Sequence, residues 1–389
     1  MIGQVQTPPP EPAAVAPSPR PRHRRPGRRR TATTLVGTAV SALLLATSCG
    51  GSSTAATGGS RGSTDDVVCR GPRHAVAQDW VEPVTEPSTP LLPTTVTDFT
   101  GESVTVADAE RILALDTYGT LATTVYALGL GDRLVGRDIS TGVPALRDLP
   151  VVTHNGHELN AEAILELDPS VILTDYSIGP LEVQLQLKEA GIPVVIMDGQ
   201  RNRAVIGDQI RSVAEVLGVP TAGETLAASV ADDISRAESE VTAMAEAAAD
   251  PRMVFLYLRG NAGVYHWFGK GSGADDLIAA LGGVDVAGES GLEGSRPLNA
   301  EGLVRSEPDL YLMMSDGLGS VGGADGLLEI PGVADTAAGV DGCVVDMDDA
   351  QILSFGPQFP ATLRALGDAV YGPDGVLGAG TEPDGTEPS

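Results

Sequence analysis

The chain has 389 residues, 42% of them apolar and 20% charged, which is long enough for about two globular domains plus tails. Its formal net charge of −27 at pH 7 makes nucleic acid an unfavourable partner. There is no His-Glu-x-x-His string and no phosphate loop. The one Gly-x-Ser-x-Gly, at Gly58 to Gly62, lies in a Gly/Ser-rich stretch with no strand before it or helix after it, so the sequence predicts no enzyme.

The N-terminus reads as a targeting segment. Seven arginines between Arg20 and Arg30 precede the apolar run Leu35 to Ala46, which is too short to cross a bilayer. Small residues then lead to Cys49. This arrangement resembles the lipobox of bacterial lipoproteins, with Ala46 where leucine is usual, and implies cleavage after residue 48 and lipidation of Cys49. An unlipidated secreted protein is the alternative, and no full twin-arginine motif marks the export route. Residues 49–90, rich in Gly, Ser and Pro, are expected to form a flexible tether, and residues 374–389 a disordered tail. Cys69 and Cys343 would both lie outside the cell, where a disulfide between them is one of two open states.

After the tether, Thr94 to Val106 alternates apolar and polar residues around Thr-Gly-Glu, as a β-hairpin does. Arg111 to Leu115 follows as a buried strand, then a helix over about 119–128 ending at Gly129. A phrase that occurs twice comes next: Leu159-Asn160-Ala161-Glu162, and again Leu298-Asn299-Ala300-Glu301. In each copy Asn can cap a helix, and Glu falls in the first turn, where the helix dipole favours an anion. Each copy is followed by an acidic residue, a proline and an apolar strand, at Val171 to Thr174 and Leu310 to Leu312. Further elements are a helix near 181–190, a strand over 194–197 and a helix over about 202–217. This alternation predicts a parallel sheet with helices on both faces. From Thr221 to Ala249 there is no proline, and no glycine after Gly223, which predicts one helix of about 25 residues. The β-α rhythm restarts at Met253 and runs to about Tyr371. The expected organisation is an N-terminal lobe (91–220), a connecting helix (221–250) and a C-terminal lobe (251–373). The fold class is therefore α/β, with two Rossmann-like lobes, one long helix joining them and a ligand cleft between.

Four stretches carry a family resemblance: Arg111 to Leu115, Ala127 to Gly136, and the two Asn-x-Glu helices. They resemble the substrate-binding proteins of bacterial iron-complex and vitamin B12 ABC importers. Within that group Asn155 to Leu159, Phe255 to Gly260 and Gly269 to Asp275 are similar to the haemin-binding lipoproteins of haem importers. The resemblance spans about residues 94 to 373. It implies a class III periplasmic-binding-protein fold with little lobe closure and ferric haem b as a transported ligand. It also implies a monomer that serves an ABC permease dimer with its ATPase. Two lysines against 23 arginines fit a GC-rich genome, hence an actinobacterial-type cell, with the lipid anchor on the outer face of the cell membrane. A ferric-siderophore or cobalamin binder is the alternative within the family, and a surface haem enzyme is a more distant one.

Candidate site residues follow from both lines of argument. His157 stands just before the first repeated helix, on a loop that should line the ligand crevice. Tyr257 is expected to end the first strand of the second lobe, facing His157, with Arg259 two residues on along the same face. Ferric haem accepts imidazole and phenolate as axial ligands, and a nearby cation favours the phenolate. His154 and His266 are the competing histidines, expected to pack in the core or rim, while His74 lies in the tether. Arg137, Lys270 and Arg296 are candidate donors for the propionates, and Met314 for packing on the ring. The resemblance further implies that Glu162 and Glu301 each meet an arginine on the permease.

Overall fold

The computed structural model describes residues 69–377, except 79, 85–88, 247 and 249. The targeting segment, Cys49, most of the expected tether and residues 378–389 lie outside the described residues. Among those described, no helix is long and apolar enough to cross a membrane.

The first lobe is built on three parallel strands in the order Ile112–Leu115, Val171–Thr174 and Val194–Ile196. Every residue in them is buried, as a sheet covered on both faces requires. The first strand leads into helix Thr120–Val125 through Gly119, held at φ 66°, where a Cβ would fall 2.5 Å from the Ser140 carbonyl oxygen. Only glycine fits that approach. The expected hairpin is present, with Thr94–Thr97 antiparallel to Ser103–Val106. A second small antiparallel pair, Thr153–His154 with Glu158–Leu159, turns through Asn155 (φ 46°) and Gly156 (φ 91°), and this turn carries His157.

Both copies of the repeated phrase form capped helices. Asn160 opens Ala161–Glu166 and accepts from the Ala163 amide at 3.2 Å; Asn299 opens Ala300–Ser306 and accepts from Gly302 at 3.2 Å. The connecting helix spans Pro220–Ala245, with proline in its first turn, where no amide is missed. It packs between helices Ile206–Val216 and Phe359–Tyr371, one from each lobe. Arg203 adds a polar tie: it holds Asp276 of the second lobe through its backbone amide (2.7 Å) and Nε (3.0 Å), and Glu238 of the connecting helix through Nη1 (2.6 Å).

In the second lobe the sheet runs Arg73–Ala75, Val344–Met347, Leu310–Met314, Arg252–Arg259, Val264–Phe268 and Ser295–Pro297, with Val284–Asp285 beside the start of the fourth strand. Two sequence expectations are corrected here. First, the sheet is mixed: Arg252–Arg259 returns as Val264–Phe268 through only four residues, and so short a link permits only antiparallel pairing. Second, the tether ends earlier than residue 90. Arg73–Ala75 pairs in parallel with Val345 to Met347 as an edge strand, and Cys69 is disulfide-bonded to Cys343 with Cα atoms 5.7 Å apart. A three-residue strand shows no alternation to read in sequence. Covering the Val344–Met347 edge and bonding at Cys343 together attach the lead-in to this lobe.

Candidate functional site

One cavity of about 540 Å³ is lined by His157, Ser140 and Tyr118 from the first lobe and by Tyr257, Arg259, Phe268, Met314 and Asp349 from the second. The His157 turn leans on Ser140, whose Oγ lies 3.4 Å from Nδ1, leaving Nε2 as the nitrogen for a ligand. Burial lowers the His157 pKa below 6.5, and the Arg259 charge lowers it further. The imidazole is therefore neutral at neutral pH, as a metal ligand must be.

Opposite it, the end of strand Arg252–Arg259 alternates: Leu256 and Leu258 are buried, while Tyr257 and Arg259 share the cleft face. The strand continues two residues past Tyr257, rather than ending there. The Tyr257 ring stacks on Phe268, with centroids 5.6 Å apart and planes 15° from parallel. The Arg259 guanidinium carbon sits 4.5 Å above the Tyr257 ring centroid. Arg259 Nη2 donates to Asp349 Oδ2 at 2.6 Å and lies 3.7 Å from Met314 Sδ. Met313 and Met347 are buried core residues.

Other expected residues are placed elsewhere. Arg137 directs Nε to the Arg147 carbonyl (3.3 Å) and Nη1 to the Asp138 carbonyl (3.2 Å), and it does not line the cavity with His157. Lys270 and Arg296 are exposed and do not line the cavity with His157. Their neighbours Gly271 and Ser295 line an adjoining space of about 830 Å³, which shares Tyr118 and Phe268 with the first. His154 pairs with Glu158 at 3.5 Å, and His266 Nδ1 meets Ser295 Oγ at 2.9 Å; neither lines either space. His74, expected in a flexible lead-in, instead sits on the edge strand with Nδ1 2.8 Å from Asp346 Oδ2. Glu162 is exposed, and Glu301 is exposed and paired with Arg305 at 2.6 Å.

Sequence reading missed a buried polar group beneath Tyr118. Arg201 Nη2 donates to both Asp116 Oδ2 and Asp175 Oδ2 at 2.9 Å, and its guanidinium lies 4.9 Å from the Tyr118 ring centroid. Asp138 joins them by accepting from the Asp116 amide (3.1 Å) and from Thr141 (3.0 Å). The signal was an aspartate directly after each of two parallel strands, Leu115-Asp116 and Thr174-Asp175, where the strand ends converge on the crevice. Arg201 commits Nη2 to these carboxylates, while its buried Nε has no hydrogen-bond partner.

Burial is the main cause that raises Asp116 to about 6, opposed by Arg201 and reinforced by Asp175; burial and the Asp116 charge raise Asp138 to about 7. Both bind protons more tightly folded than unfolded, where the value is near 3.8. Their contribution to stability is therefore fully present in acid and is lost as pH rises through this window. The melting temperature is expected to fall between about pH 4 and about pH 7, and Asp138→Asn to flatten that dependence. Calorimetric scans across the range check this; an equal slope in the variant would refute it.

The comparisons with known proteins point the same way. The periplasmic binding protein family model matches residues 117–350. The crystal structure of heme binding protein HmuT is 44% identical, covers 78% of this chain and 98% of its own, and superposes with a TM-score of 0.75. The periplasmic heme-binding protein RhuT from Roseiflexus sp. RS-1, in its apo form, is 36% identical, covers 69% and 100%, and gives a TM-score of 0.63. An uncharacterized ABC transporter substrate-binding lipoprotein of Bacillus subtilis (strain 168), YvrC, is 23% identical over 289 residues, 73% of this chain and 87% of that protein. With the family model matched over residues 117–350 and HmuT 44% identical over 78% of this chain, the chain belongs to the periplasmic binding protein family.

Proposed function

We propose that this protein captures ferric haem b in its cleft, with His157 and Tyr257 as the two axial ligands, and delivers it to an ABC permease dimer driven by its ATPase. The observation that carries this reading is that His157 and the stacked Tyr257–Arg259 pair enter one cavity from opposite lobes. A neutral imidazole and a phenol under a guanidinium suit the ferric ion, and the similar HmuT and RhuT bind haem. Phe268 and Met314 supply apolar surface for the porphyrin, and Lys270 and Arg296, exposed next to Gly271 and Ser295 of the adjoining space, are the cations for its propionates. The protein acts outside the cytoplasm as a monomer, held to the outer face of the membrane by lipid on Cys49. It performs no chemical step, since two protein ligands leave the iron no open position for peroxide.

Titrating the purified chain with haemin tests the reading. One equivalent should give a saturating shift of the Soret band without peroxidase turnover, while cobalamin and ferric siderophores compete weakly or not at all. Binding of either competitor in place of haemin would overturn the cargo assignment.

A further inference from the structure

We infer that Asp349 is a positioning residue for the cargo site, holding the Arg259 guanidinium over the Tyr257 ring. The inference rests on the reading of Tyr257 as an iron ligand. Asp349 divides its two oxygens between two tasks. Oδ1 accepts from the Asp316 backbone amide at 2.9 Å, which fixes the carboxylate, and Oδ2 accepts from Arg259 Nη2 at 2.6 Å. The remaining contacts of that guanidinium are weaker constraints: Nη1 donates to the Leu258 carbonyl at 2.9 Å, on its own strand, and Nη2 lies 3.7 Å from a methionine sulfur. Without Asp349 the long side chain has no partner across the cleft wall to keep its plane on the aromatic face.

Both side chains of the pair are about three-quarters buried, 29% and 25% exposed, so the pair is less screened than a rim contact. Burial also works against the Asp349 charge and raises its pKa, while the Asp316 amide and Arg259 lower it. An acid kept in so desolvated a place is costly unless it holds something. What it holds is the cation stacked on the Tyr257 ring, whose charge also lowers the His157 pKa.

Asp349→Asn tests the role, because the amide oxygen can still accept from Asp316 while the anionic partner of Arg259 is lost. In the full chain this variant is expected to bind haemin about tenfold more weakly. Its visible charge-transfer band should move toward that of Arg259→Ala, with the melting temperature of the ligand-free protein unchanged. Adding Asp349→Asn to Arg259→Ala should then change neither affinity nor spectrum further, the mark of two residues acting as one. A wild-type spectrum and affinity in Asp349→Asn, or effects that simply add in the double variant, would overturn the inference while leaving the ligand assignment standing. A wild-type spectrum in Tyr257→Phe would instead bring down the ligand assignment, and this inference with it.

Discussion

Tyr257→Ala is expected to weaken haemin binding by about 100-fold or more and to abolish the tyrosinate signature of the ferric spectrum. Three losses combine in that one substitution: the phenolate oxygen, the ring stacked on Phe268, and the surface on which Arg259 rests. Tyr257→Phe separates them, because the ring and both stacking contacts remain and only the oxygen goes. If the oxygen is the ligand, Phe should reproduce the spectral change of Ala while recovering part of the affinity. His157→Ala should act differently. Its turn is exposed and touches Ser140 only weakly, so the fold has little to lose, and the iron should change coordination while still held by the second lobe. Absorption and electron paramagnetic resonance spectra of the four proteins decide the matter. A spectrum indifferent to both positions would remove the pair from the site.

The residues legible from sequence share one property: their local pattern already contained the cause of their structure. Asn160 and Asn299 cap because a side-chain acceptor stands three residues before an orphan amide, and that is visible in a string. The connecting helix was visible as an absence of breakers, and its observed span, Pro220–Ala245, differs mainly at its ends. His157 was placed by its position before the first capped helix. The parts not legible depend on distant partners. Arg73–Ala75 becomes a strand only because Val345 to Met347 offers an open edge some 270 residues later. Asp116, Asp138 and Asp175 look like surface acids until the sheet converges and Arg201 enters from the loop after the third strand. Long-range polar pairing, rather than hydrophobic period, is what the sequence conceals here.

Reversing the charge of both Glu162 and Glu301 to lysine is expected to abolish haem uptake while leaving haemin binding unchanged. Neither carboxylate is needed for its own helix: the capping bonds come from Asn160 and Asn299, and an acid in the first turn adds only about 0.3–1 kcal/mol through the dipole. Both are exposed, and neither lines the cavity that contains His157 and Tyr257. On the proposed function, two carboxylates at equivalent places on the two lobes would each meet a cation on one half of the permease. The single variants should differ. Glu301 already shares its charge with Arg305 four residues on, whereas the residue four positions after Glu162 is another acid, Glu166. The first lobe therefore presents the stronger negative site, and Glu162→Lys should impair uptake more than Glu301→Lys. Haem-dependent growth of an iron-starved strain, read beside haemin titrations of each purified variant, measures the two properties separately. Uptake that survives the double reversal would show that the permease recognises another part of this surface.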